Sequence, residues 1–189
     1  MLYPIFNVAF IATVENSDGW ALVSSPRVDF ENAPKTVAKA AELTKNCKTD
    51  AEKITAVFEF VAKTIKYDYK RYNDILNGKG SVKDSDFDLD HILDTKTGIC
   101  HHYATLMAGM LRSQGIPCKV IYGSVYRDGE CAWHAWVSVS PDTKGLDMTR
   151  LGAGHDENGW IRLEPTWGGM VAGRADAAVD KNHKTDYAY

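Results

Sequence analysis

The chain has 189 residues, 44% apolar and 25% charged, with a formal net charge of −3. That is enough for one domain with a real core, and no basic excess points to nucleic acid. No run of about 18 apolar residues could span a bilayer, and four cysteines, Cys47, Cys100, Cys118 and Cys131, are too few and too unevenly spaced for a disulfide scaffold.

Residues 1–12 are apolar but carry no Lys or Arg, which makes a poor secretory signal. Two β-like runs, 5–14 and 20–28, flank Asn16-Ser17-Asp18-Gly19, so residues 1–33 are expected to form an arm or a β-hairpin ahead of a single domain over 34–189. Pro34 opens a helix to about residue 46, with Val37, Ala40, Ala41 and Thr44 on one side. Thr49-x-x-Glu52 is a capping box, and Ile54, Val57, Phe58, Val61 and Ile65 follow at helical spacing. Residues 70–96 read as a polar, irregular stretch. Asp84, Asp86, Asp88 and Asp90 alternate as in a calcium loop, but the sixth position from Asp84 is Leu89 and the twelfth is Thr95. Neither the required Gly nor the required Glu is present, so a solvated acidic loop is expected. Gly78-Lys79-Gly80-Ser81 likewise lacks the spacing of a phosphate-binding loop.

Residues 97–117 read as one helix with a cysteine in its first turn. From Cys100, the positions Tyr103, Ala104, Met107, Ala108 and Leu111 recur with the period of a buried stripe. Thr97 or Gly98 is expected to cap its start, and Gly115 before Pro117 to stop it. Cys100 thus begins the stripe, where the positive end of the helix dipole favours negative charge. A small buried hydrophobe at a helix start is the commoner role for such a cysteine. Beyond it the period becomes alternating, predicting strands over 118–126 and 131–139 around an Arg127-Asp128-Gly129-Glu130 turn, and a third over 160–164. In that hairpin Cys131 faces Tyr126 and Cys118 lies opposite about Val139, so the two cannot be bridged. The connection 140–159 reads as an insertion, and 186–189 as a final strand.

His134 sits mid-strand on a face with Ala132, Trp136 and Ser138, opposite Trp133, Ala135, Val137 and Val139. Glu164 ends the next strand, where Pro165 stops the ladder. Each signal alone is weak. Together, a cysteine at a helix start, a following histidine and a later carboxylate supply a thiol nucleophile, a general base and acid, and a group that orients the imidazole. A metal site built from Cys100, His101, His102, His134, His155 and His183 is disfavoured. Consecutive helix residues point about 100° apart, and there is no C-x-x-C or H-x-x-x-H.

The motifs Gly98-Ile99-Cys100-His101-His102-Tyr103-Ala104, Gly115-Ile116-Pro117, His134-Ala135-Trp136-Val137 and Trp160-x-x-x-Glu164-Pro165-Thr166 occur in this order. In them the chain resembles the bacterial transglutaminase-like domain, over about residues 34–170. The resemblance implies an α+β fold of the papain-like thiol type, with the nucleophile helix packed on an antiparallel sheet. It puts Cys100 in the nucleophile's place, His134 in the base's and Glu164 in the acid's, with Tyr67 as a second oxyanion donor beside the Cys100 N–H. The family usually has Asp before Pro-Thr. The extra methylene of Glu164 moves the carboxylate by about 1.5 Å, so His134 adjusts its rotamer, or Asp156 or Asn158 orients the ring, or the triad is weakened. Trp133, Trp136 and Trp167 are expected to line the substrate site. The implied function is thiol-dependent acyl transfer at a peptide or glutamine-type amide, as protease or amidase, with protein cross-linking as the alternative. A peptide- or protein-binding module with weak catalysis is the reading from another class. No cofactor or metal is expected, and relatives with this domain imply an extracellular or cell-envelope location.

Overall fold

The computed structural model describes residues 19–127, 130–156, 159–168 and 183–189. The fold is α+β. Helices α1 (Pro34–Thr44) and α2 (Asp50–Thr64) lead into a short strand β1 (Lys66–Tyr67), then α3 (Tyr69–Leu76) and α4 (Leu89–Thr95). Strand β2 (Thr97–Gly98) pairs parallel with β1 and passes directly into α5 (Cys100–Ser113). The hairpin β3 (Cys118–Arg127) and β4 (Glu130–Val139) follows, then α6 (Met148–Leu151), β5 (Gly154–His155), β6 (Ile161–Leu163), α7 (Pro165–Gly168) and β7 (His183–Ala188). The five-stranded sheet has the order β5-β6-β4-β3-β7, with every pairing antiparallel.

Helix α5 is the centre of the molecule. Every residue from Cys100 to Arg112 is buried, as expected of a helix apolar nearly all round. It packs against α1, α2 and α4 and against the hairpin β3–β4. The sheet meets it through Cys118, Val120 and Tyr122 on β3 and Ala135, Val137 and Val139 on β4, the alternating sets that a pleated strand puts on one face. Ile121, Val125 and Trp136 form a smaller cluster on the other face, with Trp167 packed against it. Gly115, at φ +76°, ends α5 in the left-handed conformation that only glycine adopts at no steric cost.

Buried Arg112 ties three segments to the end of α5. Its Nε and Nη2 donate to the Cys118 carbonyl (3.2 and 2.9 Å), Nη1 to the Val23 carbonyl (3.0 Å) and Nη2 also to the Tyr189 carbonyl (2.8 Å). A planar guanidinium with five fixed donors satisfies these carbonyls in a way a lysine could not.

The hairpin register matches expectation, Cys118 opposite Val139 and Tyr126 opposite Cys131, and all four cysteines are free. Several local expectations are corrected. Residues 20–28 contain a 3-10 turn (Gly19–Leu22) and a single Ser25–Val28 bridge rather than a strand; their apolar residues Ala21 and Val28 are simply buried. The 5–14 run and the turn's first three residues lie outside the described residues. Residues 70–96 hold two helices and a 3-10 turn (Asp84–Phe87) instead of an irregular loop.

Three of the alternating aspartates explain that correction, because Asp88 and Asp90 cap helices and Asp86 is buried in an ion pair. Asp68 accepts from the Arg71 N–H (2.8 Å) at the start of α3, and Asp88 from the His91 N–H (3.0 Å) at the start of α4. Helix α1 has no side-chain cap of its own. Asp90 supplies one from α4, accepting from the N–H groups of Lys35 (3.0 Å) and Thr36 (2.7 Å). Asp86 is buried, paired with Arg71 and accepting from the Lys83 N–H at 2.6 Å.

Candidate active site

Cys100 is the first residue of α5, so its N–H is one of those a helix leaves without an intrahelical partner. The turn before it is braced by β1, where Tyr67 stands in register with Gly98 and the Asp68 N–H donates to the Gly98 carbonyl (2.9 Å). The N-cap is Ile99, not Thr97 or Gly98. Isoleucine offers no side-chain acceptor to the helix, but the reciprocal half of a capping box is present: the Ile99 N–H donates to Nδ1 of His102 at 3.0 Å.

His134 stands in the middle of β4 opposite Gly123 of β3, and Glu164 follows the last residue of β6. The pairing of β4 with β6 brings these side chains together: His134 Nε2 lies 2.9 Å from Glu164 Oε2, both residues being buried. Trp167, one turn beyond Glu164 in α7, stacks face to face on the imidazole, centroids 4.7 Å apart and planes within 8°. The Cys100 thiol is close enough to the same ring to raise its pKa. With Nε2 engaged by Glu164, Nδ1 is the ring atom left for the sulfur.

The electrostatics of the ring follow from these neighbours. Burial disfavours the imidazolium, but the Glu164 carboxylate and the neighbouring Cys100 outweigh it, and the pKa of His134 is pushed up to about 10. Buried Arg162 lies close enough to Glu164 for the two charges to stabilise each other.

Two phenols lie within electrostatic reach of Cys100. Tyr67 is half-buried in an aromatic group with Tyr69, Tyr72 and Tyr103; burial, then the neighbouring Cys100, push its pKa up. Tyr122 was not singled out from the sequence. It is buried, also feels Cys100, and its hydroxyl has no hydrogen-bond partner among the described residues. Its place beside Ala135 on the core face follows from strand alternation, but alternation cannot tell a packing tyrosine from one beside a reactive group.

Two of the three tryptophans, Trp136 and Trp167, pack together beside His134. Trp167 covers His134, and Trp133 is 44% exposed and stacks on Tyr122 at 5.1 Å. Trp136 is 1% exposed and belongs to the small cluster with Ile121 and Val125, its ring 6.2 Å from that of His134. Asp156 is not the residue that meets His134 Nε2; its carboxylate accepts from the Trp160 N–H (2.9 Å) and closes the β5–β6 turn.

For a metal, one group among the described residues has converging donors: Asp86, His101 and His102, with atoms within 4.8 Å of one another. The expectation that neighbouring helix residues keep their rings apart fails here, since His101 and His102 stack at 3.9 Å. The group still does not present three lone pairs. His102 Nδ1 accepts from Ile99, so in the neutral ring Nε2 carries the proton, and Asp86 is neutralised by Arg71.

The family model of the transglutaminase-like superfamily matches residues 37–165. The chain belongs to that superfamily. It is 32% identical over 90 residues to a protein-glutamine gamma-glutamyltransferase of Pseudomonas aeruginosa, covering 41% of this chain and 11% of that one. It is 30% identical over 114 residues to the UPF0252 protein MJ1282 of Methanocaldococcus jannaschii, covering 58% of this chain and 32% of that one. This chain therefore spans only a part of these curated relatives. Among solved structures it is similar in fold to a candidate cysteine protease from Cytophaga hutchinsonii, with a TM-score of 0.56 and 15% identity over 94% of this chain and 55% of that one. No helix among the described residues is long and apolar enough to cross a membrane.

Proposed function

We propose that this protein is a cysteine-dependent enzyme of acyl transfer at an amide, in which Cys100, His134 and Glu164 act as a triad. The observation that carries the reading is one buried imidazole, held by a carboxylate at 2.9 Å and close enough to the Cys100 thiol for the two to interact electrostatically. The sulfur attacks the carbonyl carbon of a peptide or glutamine-type amide. The Cys100 N–H and Tyr67 hydroxyl donate to the oxygen as it gains charge. As the C–N bond breaks, the imidazolium gives its proton to the departing amine or ammonia, leaving a thioester. Water then attacks the thioester carbon, the imidazole takes its proton, and the thiol and a carboxylic acid are released.

Glu164 holds the ring's tautomer and balances its charge. Its reach to Nε2 supports an intact triad over a weakened binding module, because the longer side chain still meets the imidazole. Hydrolysis is favoured over cross-linking since water, at about 55 M, is the default acceptor unless a site excludes it. The name of the Pseudomonas relative favours glutamine as donor and a lysine amine as the rival acceptor. An extracellular or cell-envelope location follows from the family resemblance alone.

The test is mass spectrometry of the protein acid-quenched during turnover of a blocked glutamine peptide, with and without a primary amine. The expected result is an acyl adduct on Cys100, absent in Cys100→Ala, with carboxylic acid as main product. An amide formed with the added amine as main product makes it a cross-linker. No adduct and no product from a panel of amides overturns the reading.

A further inference from the structure

Behind the nucleophile lies a buried polar chain that the proposed reaction does not use. Arg71 on α3 pairs with Asp86 of the 3-10 turn, whose other carboxylate oxygen lies 3.8 Å from His102 Nε2; His102 Nδ1 in turn accepts the Ile99 N–H. The ring is wedged in place. A Cβ on Gly98 would meet the His102 Cβ and Cγ at 2.5 Å and Nδ1 at 2.9 Å, and His101 stacks on the ring's other side. Position 98 thus excludes any side chain because the imidazole occupies that space. A capping box ordinarily uses Glu or Gln at the third helical position to accept the N-cap N–H; here a neutral histidine does so. Burial, partly offset by the Asp86 carboxylate, pulls its pKa down to about 4, so the lone pair on Nδ1 is available at neutral pH.

We propose that His102, wedged against Gly98 and tied through Asp86 to Arg71, is a positioning residue that fixes the Ile99–Cys100 turn, and with it the Cys100 N–H and sulfur, for reaction. The transmission is short: the Ile99 N–H and the Cys100 N–H belong to consecutive planar peptide groups separated only by the φ and ψ of Ile99, so anchoring the first limits the aim of the second. The inference rests on the reading of Cys100 as nucleophile.

The experiment compares wild type, His102→Leu, His102→Gln and His134→Ala by the rate of Cys100 alkylation with iodoacetamide at pH 7 and by kcat and KM on the glutamine peptide. His102→Leu loses the acceptor, and kcat and alkylation are expected to fall about ten-fold with KM unchanged, the scale of one lost cap. His102→Gln keeps an acceptor at the same place and is expected to stay within about three-fold of wild type. A folded His102→Leu that reacts at the wild-type rate overturns the inference, as does a His102→Gln as slow as the leucine variant. If His102→Leu does not fold, Asp86→Asn carries the test, with a several-fold slower alkylation expected and an unchanged rate overturning it. His134→Ala separates the two ideas: sensitivity to His134 without sensitivity to His102 leaves the nucleophile assignment standing, and sensitivity to neither removes both.

Discussion

Replacing His134 with alanine is expected to lower kcat on an amide substrate by about 10³- to 10⁴-fold while KM changes little. In the proposed reaction the imidazole's work is to move a proton from sulfur to leaving nitrogen, not to bind the substrate. Without it the departing amine must leave unprotonated, and the thioester must be hydrolysed without a base. Steady-state kinetics with matched circular dichroism checks the result. The removal also uncovers the face of Trp167 that stacks on the ring, so a modest loss of stability should accompany the kinetic one. A fall in stability alone, with kcat near wild type, would contradict the role.

The second large effect is expected at Glu164. Glu164→Gln keeps the size of the side chain but removes the charge that does most to hold His134 protonated against burial. A fall in kcat of about 10²- to 10⁴-fold is expected, with the lower end reached if the amide still orients Nε2. The pH dependence has a definite sign. The pKa of His134 is raised in the folded protein from an ordinary 6.5 to about 10. Its pairing therefore contributes stability fully below pH 6.5, and that contribution is lost as the pH rises towards 10. Denaturant titrations between pH 6.5 and 10 should show a steeper loss in wild type than in Glu164→Gln. Equal slopes would mean that the carboxylate is not what holds the imidazolium. Glu164→Asp is informative beside it: shortening the side chain draws the carboxylate back by about 1.5 Å, so the residue usual in the family is expected to serve less well on this backbone.

Much of this arrangement is legible in the sequence because it rests on strong local signals. The period of Tyr103, Ala104, Met107, Ala108 and Leu111 defines the central helix, and the Arg127–Glu130 turn fixes the hairpin register to the residue. The capping box at Thr49 and Glu52 is present with both of its hydrogen bonds. What is not legible depends on partners distant in the chain. Asp90 caps α1 from another helix, and Asp86 is buried only because Arg71 meets it; a run of aspartates read by itself cannot reveal either. The 20–28 run carries β-favouring residues, yet tertiary packing at Ala21 and Val28 decides its conformation. The same holds within the site. Cys100, His134 and Glu164 are chemically conspicuous, whereas His102 and Tyr122 take their interest from what stands beside them, Ile99 and Gly98 in one case and Cys100 in the other.

The most direct measurement is the pH profile of Cys100 alkylation, wild type against His134→Ala. A sulfur paired with that imidazole should react with iodoacetamide at a rate that stays high well below pH 7, and His134→Ala should shift the rise towards the pH of about 8.5 at which an ordinary thiol ionises. Superimposable profiles, with wild-type Cys100 no more reactive at pH 6 than a free cysteine, would contradict the assignment of nucleophile and base.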